Sequence, residues 1–336
     1  MKSMATDYGA ATGGASANRA PGRSVLVVAG PTGGGKSALA VDLARAHDGV
    51  VINADSMQVY RELRVLTARP TTAEEATVPH RLYGVLPAAE RCSAGRWLRM
   101  ALPEIEAAFA QGKVPVVVGG TGLYLRALIQ GLADIPDIPA TDVARAGALY
   151  DERGGEAFRA DLRALDPDAA DRLPASDRQR LIRAYAVVKA TGRTLKDWHR
   201  EGAANAVAAR FATIVLTPPT DVLYPILDAR FDAMMAAGGL DEARAFAALG
   251  VDPSLPAAKA VGVKELLAHL AGDLDLEAAV AKAKQATRNF AKRQRTWLRH
   301  QVRPDVSIES IYDSKAWAIA DGFAGRFLSA QFSESL

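Results

Sequence analysis

The densest chemistry in this chain lies in GPTGGGKS, residues 30–37. Gly30 to Ser37 satisfy the spacing G-x-x-x-x-G-K-[ST]. The apolar VLVVA before them and ALAVDLARAH after them predict a strand, a loop and an amphipathic helix, the context this spacing requires. In the run Gly30, Pro31, Thr32, Gly33, Gly34 and Gly35, the glycines let successive backbone N–H groups curl around an anion without side-chain clash. The helix start adds partial positive charge, Lys36 adds a mobile cation, and Ser37 can ligate Mg²⁺. A plain strand-to-helix turn is the competing reading, but a turn has no need of the Lys-Ser pair.

A loop that binds ATP also needs a carboxylate at the end of a neighbouring buried strand to help hold Mg²⁺. The run KVPVVVGG, residues 113–120, ends in glycines and has no acid. The acid follows a different run, in NADSMQVY, where Asp55 comes after VVI and Ala54. An Asp at the carboxyl end of a parallel strand beside such a loop faces the ligand crevice. Asp55 is therefore a candidate general base, nucleophile orienter or metal ligand; the alternative is that it caps the next helix.

Two basic clusters stand out. Arg288, Lys292, Arg295, Arg299 and Arg303 recur at steps of four, three, four and four with no acid between them, which predicts one positive helix face. Like charges at i, i+4 destabilise a helix unless an anion is supplied, which favours a phosphate backbone over a merely solvated face. The second cluster, Arg178, Gln179, Arg180 and Arg183, opens a helix that Ser176 and Gln179 would box and that would stop at Thr191-Gly192. Arginines there can reach phosphates, and the Gln179 amide can pair with a base edge; a solvated helix start fits equally well. Arg230, in ARFDAMM, could pair with Asp228 or Asp232, or hold an anion in the crevice.

These residues need a frame. Apolar runs at 24–30, 49–55, 113–120 and 211–219, separated by helical patterns, predict a parallel α/β sheet flanked by helices. Between Asp134 and about Asn205 strand signals vanish, which predicts an all-helical insertion, 134–205, in a core made of 23–133 and 206–330. After Leu216 everything reads as helix. Residues 1–22 are Ala, Gly, Ser and Thr with little to bury and are expected to form a disordered leader. The single cysteine excludes an internal disulfide and a cysteine-based zinc site. No apolar stretch approaches the roughly 20 residues of a membrane helix, and a cytoplasmic setting is expected. A net charge of +3 neither demands nor excludes a polyanionic partner.

The motifs GPTGGGKS, NADSMQVYRELRVLTARP, GGTGLYLRAL, SDRQRLIRAYAVVKATGRTL, ARFDAMMAAGGLDE, GVKE and TRNFAKRQRTWLR, in that order, resemble the bacterial tRNA dimethylallyltransferases. The resemblance spans about residues 24 to 303. It implies a P-loop core with a helical insertion that clamps a tRNA anticodon stem-loop, a monomer, and Mg²⁺. The implied reaction takes dimethylallyl diphosphate as donor and N6 of adenosine 37, in tRNAs reading codons that start with U, as acceptor. By motif, Asp55 would be the general base, with Ser56, Met57 and Gln58 lining the base pocket. Thr32 to Ser37 would hold the diphosphate, with Lys36 and Arg230 stabilising it as it leaves, and Thr121 would sit beside the reacting centre. Gln179, Arg180, Leu181, Ile182 and Arg183 would contact the tRNA, as would the stripe with Arg288, Lys292 and Arg295. The chain departs from the family pattern in its run of glycines at 33–35, at Leu66 and Arg69, at Arg81, Tyr83 and Gly84, and at Val263. The competing readings are a small-molecule or nucleotide kinase using the same loop, and a non-catalytic RNA-binding protein.

Overall fold

A computed structural model describes residues 22–200 and 207–330. The expected leader, apart from Gly22, lies outside the described residues. Six strands form one sheet: β1 (Ser24–Ala29), β2 (Gly49–Asn53), β3 (His80–Arg81), β4 (Val114–Gly119), β5 (Arg210–Leu216) and β6 (Val306–Ile308). All pairings are parallel, in the order β3-β2-β4-β1-β5-β6. The near-continuous apolar text of β1 follows from its place: every one of its residues is buried, because helices cover both faces of a parallel sheet.

From β1 the chain turns to β2 on one side and later to β5 on the other, so the strand order reverses at β1. Ala29 is level with Gly119 of β4 and Val215 of β5, which brings the carboxyl ends of three strands together. The crevice outside such a switch point is where parallel sheets bind ligands, and both the glycine loop and the GGTG turn open into it.

The helices of the sheet unit are α1 (Lys36–Ala46), α2 (Thr72–Glu75), α3 (Ala94–Ala110) and α4 (Gly122–Gln130). A second compact unit, Gln130–Ala206, follows. Its named elements are all helices: α5 (Ala140–Arg163), α6 (Pro167–Arg172), α7 (Arg178–Thr191) and α8 (Leu195–Arg200). They close over their own core of Phe158, Leu162, Leu181 and Ile182. The chain then returns to the sheet unit with α9 (Thr220–Ala236), α10 (Gly239–Ala248), α11 (Val263–Leu270), α12 (Leu276–Gln301) and α13 (Ser314–Ser329). Among the described residues no helix is long and apolar enough to cross a membrane.

Three expectations are corrected. The chain after Leu216 is not all helix, since β6 adds to the sheet edge beside β5. Its entry is held by Asp305, whose N–H donates to Thr213 O at 2.9 Å and whose carboxylate accepts from Thr213 N at 2.7 Å. Helix α7 is capped by Asp177 rather than Ser176, with the Asp177 carboxylate accepting from Arg180 N at 3.3 Å; its end at Thr191, with Gly192 in the left-handed region, is as expected. Helix α12 stops at Gln301 and Val302 is extended, so Arg303 lies beyond the face that the other four basic residues share.

Candidate active site

The loop 30–35 joins β1 to α1. Gly33 and Gly35 both sit in the left-handed region, at φ 78° and 85°, and Gly35 is the residue that caps the start of α1. This backbone aims the amides of the first helical turn into the crevice, where an anion would meet them. Space as well as φ demands glycine: a Cβ at Gly33 would lie 2.6 Å from Cδ2 of Leu227, and one at Gly35 would lie 2.5 Å from Cβ of Tyr312. Tyr312 closes the outer side of the loop, donating its N–H to Gly34 O at 3.1 Å and its hydroxyl to Asp42. One assignment changes. The Thr32 N–H donates to Oε1 of Gln294 at 2.9 Å, so that amide is not available to an anion and the candidate amides are those from Gly33 onward.

Lys36 and Ser37 are the first residues of α1, Lys36 partly buried and Ser37 exposed. Burial pushes the Lys36 ammonium down to about 8, against the pull of Asp55 and with the repulsion of Arg230. Burial likewise lowers the Arg230 guanidinium, opposed by Asp55 and Glu74. Two cations and one carboxylate therefore share one partly desolvated space. The other partners considered for Arg230 are engaged elsewhere: Asp228 takes Arg288 at 2.5 Å and Asp232 takes Lys284 at 2.7 Å.

Asp55 is held by a small network at the end of β2. The fully buried Asn53 accepts from Asp55 N at 2.8 Å and donates from Nδ2 to Asp55 O and Leu82 O, both at 3.1 Å. Trp97 Nε1 in turn donates to Asn53 O at 2.8 Å. One Asp55 oxygen accepts from Met57 N at 2.9 Å, capping a turn rather than a helix; the other has no hydrogen-bond partner among the described residues. Across the crevice, Thr121 accepts from Ser56 N at 2.9 Å and donates to Ser56 Oγ at 3.2 Å, tying the GGTG turn to the Asp55 turn. Met57 is partly buried in the same turn. Gln58 Nε2 is committed to structure, donating to Thr67 O at 2.9 Å and Ala68 O at 3.0 Å.

The 64–69 loop rests on a residue the sequence did not single out. Glu242, near the start of α10, accepts from three successive backbone N–H groups, those of Arg64 at 2.6 Å and of Val65 and Leu66 at 2.8 Å. Leu66 is compatible with this arrangement because its side chain is buried against Gly239. Arg69 and Gly84 also belong together. Arg69 Nη1 donates to Tyr60 O at 3.2 Å, and its guanidinium lies where a side chain at Gly84 would stand. Gly84 is left-handed as well, at φ 61°. Gly84→Ala is expected to destabilise the fold by about 1–3 kcal/mol, from αL strain and the clash. Arg69→Ala in that background is expected to recover the clash part, checked by denaturant unfolding of both single variants and the double.

Of the remaining departures, Arg81 pairs with Glu104 at 3.3 Å on the surface, and Val263 is fully buried. Tyr83 stands edge-on to His80 at 5.5 Å; burial and the charges of Asp55, Glu75 and Glu74 push its phenol up.

The basic clusters are less free than their spacing suggested. Arg288 is bound to Asp228 and Gln285, and Arg295 donates to Thr220, whereas Lys292 and Arg299 are exposed. In α7 the side chains of Leu181 and Ile182 are buried in the helical unit, which corrects their place among RNA-contacting groups. Gln179, Arg180 and Arg183 are exposed, and Arg178 is paired with Asp151 at 2.5 Å.

A parallel sheet whose switch point carries a glycine loop opening a helix, two partly buried cations and the carboxylate of Asp55 defines a P-loop α/β protein. Residues 58–301 match the family described as IPP transferase, and residues 23–85 the one described as isopentenyl transferase. The tRNA dimethylallyltransferase of Rhodospirillum centenum is 60% identical over 281 residues, covering 83% of this chain and 90% of that protein. That of Paramagnetospirillum magneticum is 53% identical over 282 residues, covering 84% and 90%. Among solved structures, the tRNA isopentenylpyrophosphate transferase of Bacillus halodurans superposes with a TM-score of 0.67 at 31% identity, over 93% of this chain and 99% of that one. A eukaryotic dimethylallyltransferase acting on tRNA gives a TM-score of 0.78 at 25% identity, over 93% and 80%. The chain belongs to the IPP transferase family.

Proposed function

We propose that this chain transfers the dimethylallyl group of dimethylallyl diphosphate to N6 of adenosine 37 in tRNAs reading codons that begin with U, releasing diphosphate. The observation that carries the reading is the charge layout of the crevice. An anion cradle with Lys36 and Arg230 faces a carboxylate, Asp55, that has one oxygen without a partner among the described residues. In the reaction the N6 nitrogen bonds to the allylic carbon, that carbon's bond to the diphosphate oxygen breaks, and the N6 proton passes to Asp55. An exocyclic amine is a weak nucleophile until its proton is accepted, so one carboxylate in reach suffices. Negative charge builds on the departing oxygens, which the amides of residues 33–37, Lys36 and Arg230 meet in a partly desolvated space. Thr121, bonded to Ser56, keeps the turn that carries Asp55 in register with the donor.

Mg²⁺ fits this site in a limited role. Among the described residues there is no group of three His, Cys, Asp or Glu that could cage a metal. Mg²⁺ commonly takes one or two protein oxygens together with substrate phosphates and water, and the exposed Ser37 hydroxyl beside the cradle matches that share. When bound, it adds positive charge beside the diphosphate. Exposed Gln179, Arg180 and Arg183 on α7, and Lys292 on α12, supply contacts to the RNA, and the reacting base must leave its stack to enter the crevice. The protein is taken to act as a cytoplasmic monomer.

The experiment combines unmodified tRNA, Mg²⁺ and dimethylallyl diphosphate with the protein and reads nucleosides and diphosphate. A prenylated adenosine formed one-for-one with diphosphate is expected. ATP consumption without a prenylated nucleoside overturns the reading.

A further inference from the structure

We infer that Gln294 of α12 is a positioning residue, whose single amide locks the diphosphate loop to the turn that carries Thr121. The inference rests on the prenyl-transfer reading above. Gln294 is 6% exposed, on a helix whose other buried residues, Ala279, Ala283, Ala291 and Leu298, are all apolar. A buried amide is costly unless both of its ends are bonded, and here both are. Oε1 accepts from Thr32 N at 2.9 Å and Nε2 donates to Gly120 O at 3.2 Å. The orientation is forced, because a backbone N–H can only donate and a carbonyl can only accept. One side chain thus spans from the loop after β1 to the turn after β4.

The turn is shaped to receive it. A Cβ at Gly120 would collide with Nε2 of Gln294, and a Cβ at Gly122 would collide with the Trp297 ring, one helical turn further along α12. Gln294 and Trp297, at i and i+3 on one face, therefore cover the two glycines that flank Thr121. With its neighbours covered, Thr121 is left to hold Ser56 N at 2.9 Å, next to Asp55. Thr32 spends its amide on this link and not on an anion, so Gln294 acts on the relative placement of the two halves of the reaction, not on the strength of the diphosphate cradle. Misplacement of reacting groups by about 1 Å can cost about 10²-fold in rate.

The test uses the full chain with dimethylallyl diphosphate and unmodified tRNA. Gln294→Met, close in volume but without either bond, is expected to lower kcat by about 10²-fold with both KM values within about threefold, the pattern of an interaction that matters for geometry in the transition state. Gln294→Glu keeps the acceptor for Thr32 but sets a carboxylate oxygen against Gly120 O. Burial beside a carbonyl raises a carboxyl pKa, and the protonated acid regains a donor. Its kcat relative to wild type is therefore expected to rise as pH falls from about 8 to about 5.5. A folded Gln294→Met with kcat within about twofold of wild type, or a Gln294→Glu ratio flat across that range, overturns the inference, because a merely structural glutamine would move neither. Wild type assayed alongside separates the two levels. No prenylated product from wild type overturns the function itself, whereas full turnover by the variants overturns only the role of Gln294.

Discussion

Asp55→Asn is expected to lower turnover by about 10³-fold, within the range a positioned proton acceptor contributes, while leaving tRNA affinity within about twofold. Asparagine is the informative change because Asp55 has two functions in the fold. One oxygen caps the turn by accepting from Met57 N at 2.9 Å, and an asparagine carbonyl can keep that bond. The other oxygen has no partner among the described residues, and it is the one available to take a proton. The amide would preserve the turn and lose the base. Asp55→Ala loses both, and the missing cap is expected to cost roughly a further 1 kcal/mol of stability. The measurement is single-turnover prenyl transfer at saturating donor, with tRNA binding read separately by filter retention. If Asp55→Asn lost affinity and turnover in step, Asp55 would be shaping the RNA pocket and not accepting the proton.

Removing either cation is the second large effect. Lys36→Ala and Arg230→Ala are each expected to lower kcat by about 10²- to 10³-fold, the usual cost of deleting one preorganised group at a site of developing negative charge. Their common neighbour Asp55 makes them non-additive: with one cation gone, the carboxylate repels the diphosphate more. Lys36 also sets a pH dependence. Burial lowers it from 10.5 to about 8, so in the free protein the ammonium is lost as pH rises through about 8. A bound diphosphate adds negative charge beside it and restores the proton. The alkaline fall is therefore expected in kcat/KM for the donor, near pH 8, and not in kcat at saturating donor. Lys36→Arg, which keeps its charge, should abolish the fall. Stability runs the other way. Between about 8 and 10.5 the unfolded chain holds a proton that folded Lys36 has released, so this group's burden on the fold shrinks as pH rises through that window.

Local rules account for much of what can be read before the fold. The runs that became β1, β2, β4 and β5 are legible because strands buried on both faces must be apolar throughout. The strands β3 and β6 are not, since two and three residues carry no periodicity and become strands only by pairing with β2 and β5. The start of helix α7 is legible to within one residue because both Ser176 and Asp177 can cap, and which does so depends on the backbone entering the helix.

The same division holds at the site. Sequence alone determined the glycine loop with its Lys-Ser pair, the carboxylate after β2 and the absence of one after β4, because glycine, lysine and Asp in those places follow from short-range backbone and charge requirements. Only the tertiary structure decided which polar groups are free. Gln294 meets Thr32 across 262 residues of chain and Glu242 meets Arg64 across 178. Arg288 and Arg295 are bound to α9, and Arg69 is fitted over Gly84. Hydrogen bonds and ion pairs act over a few ångströms in space whatever the separation along the chain, so a residue's chemistry can be read from its type while its availability is settled by its neighbours in the fold.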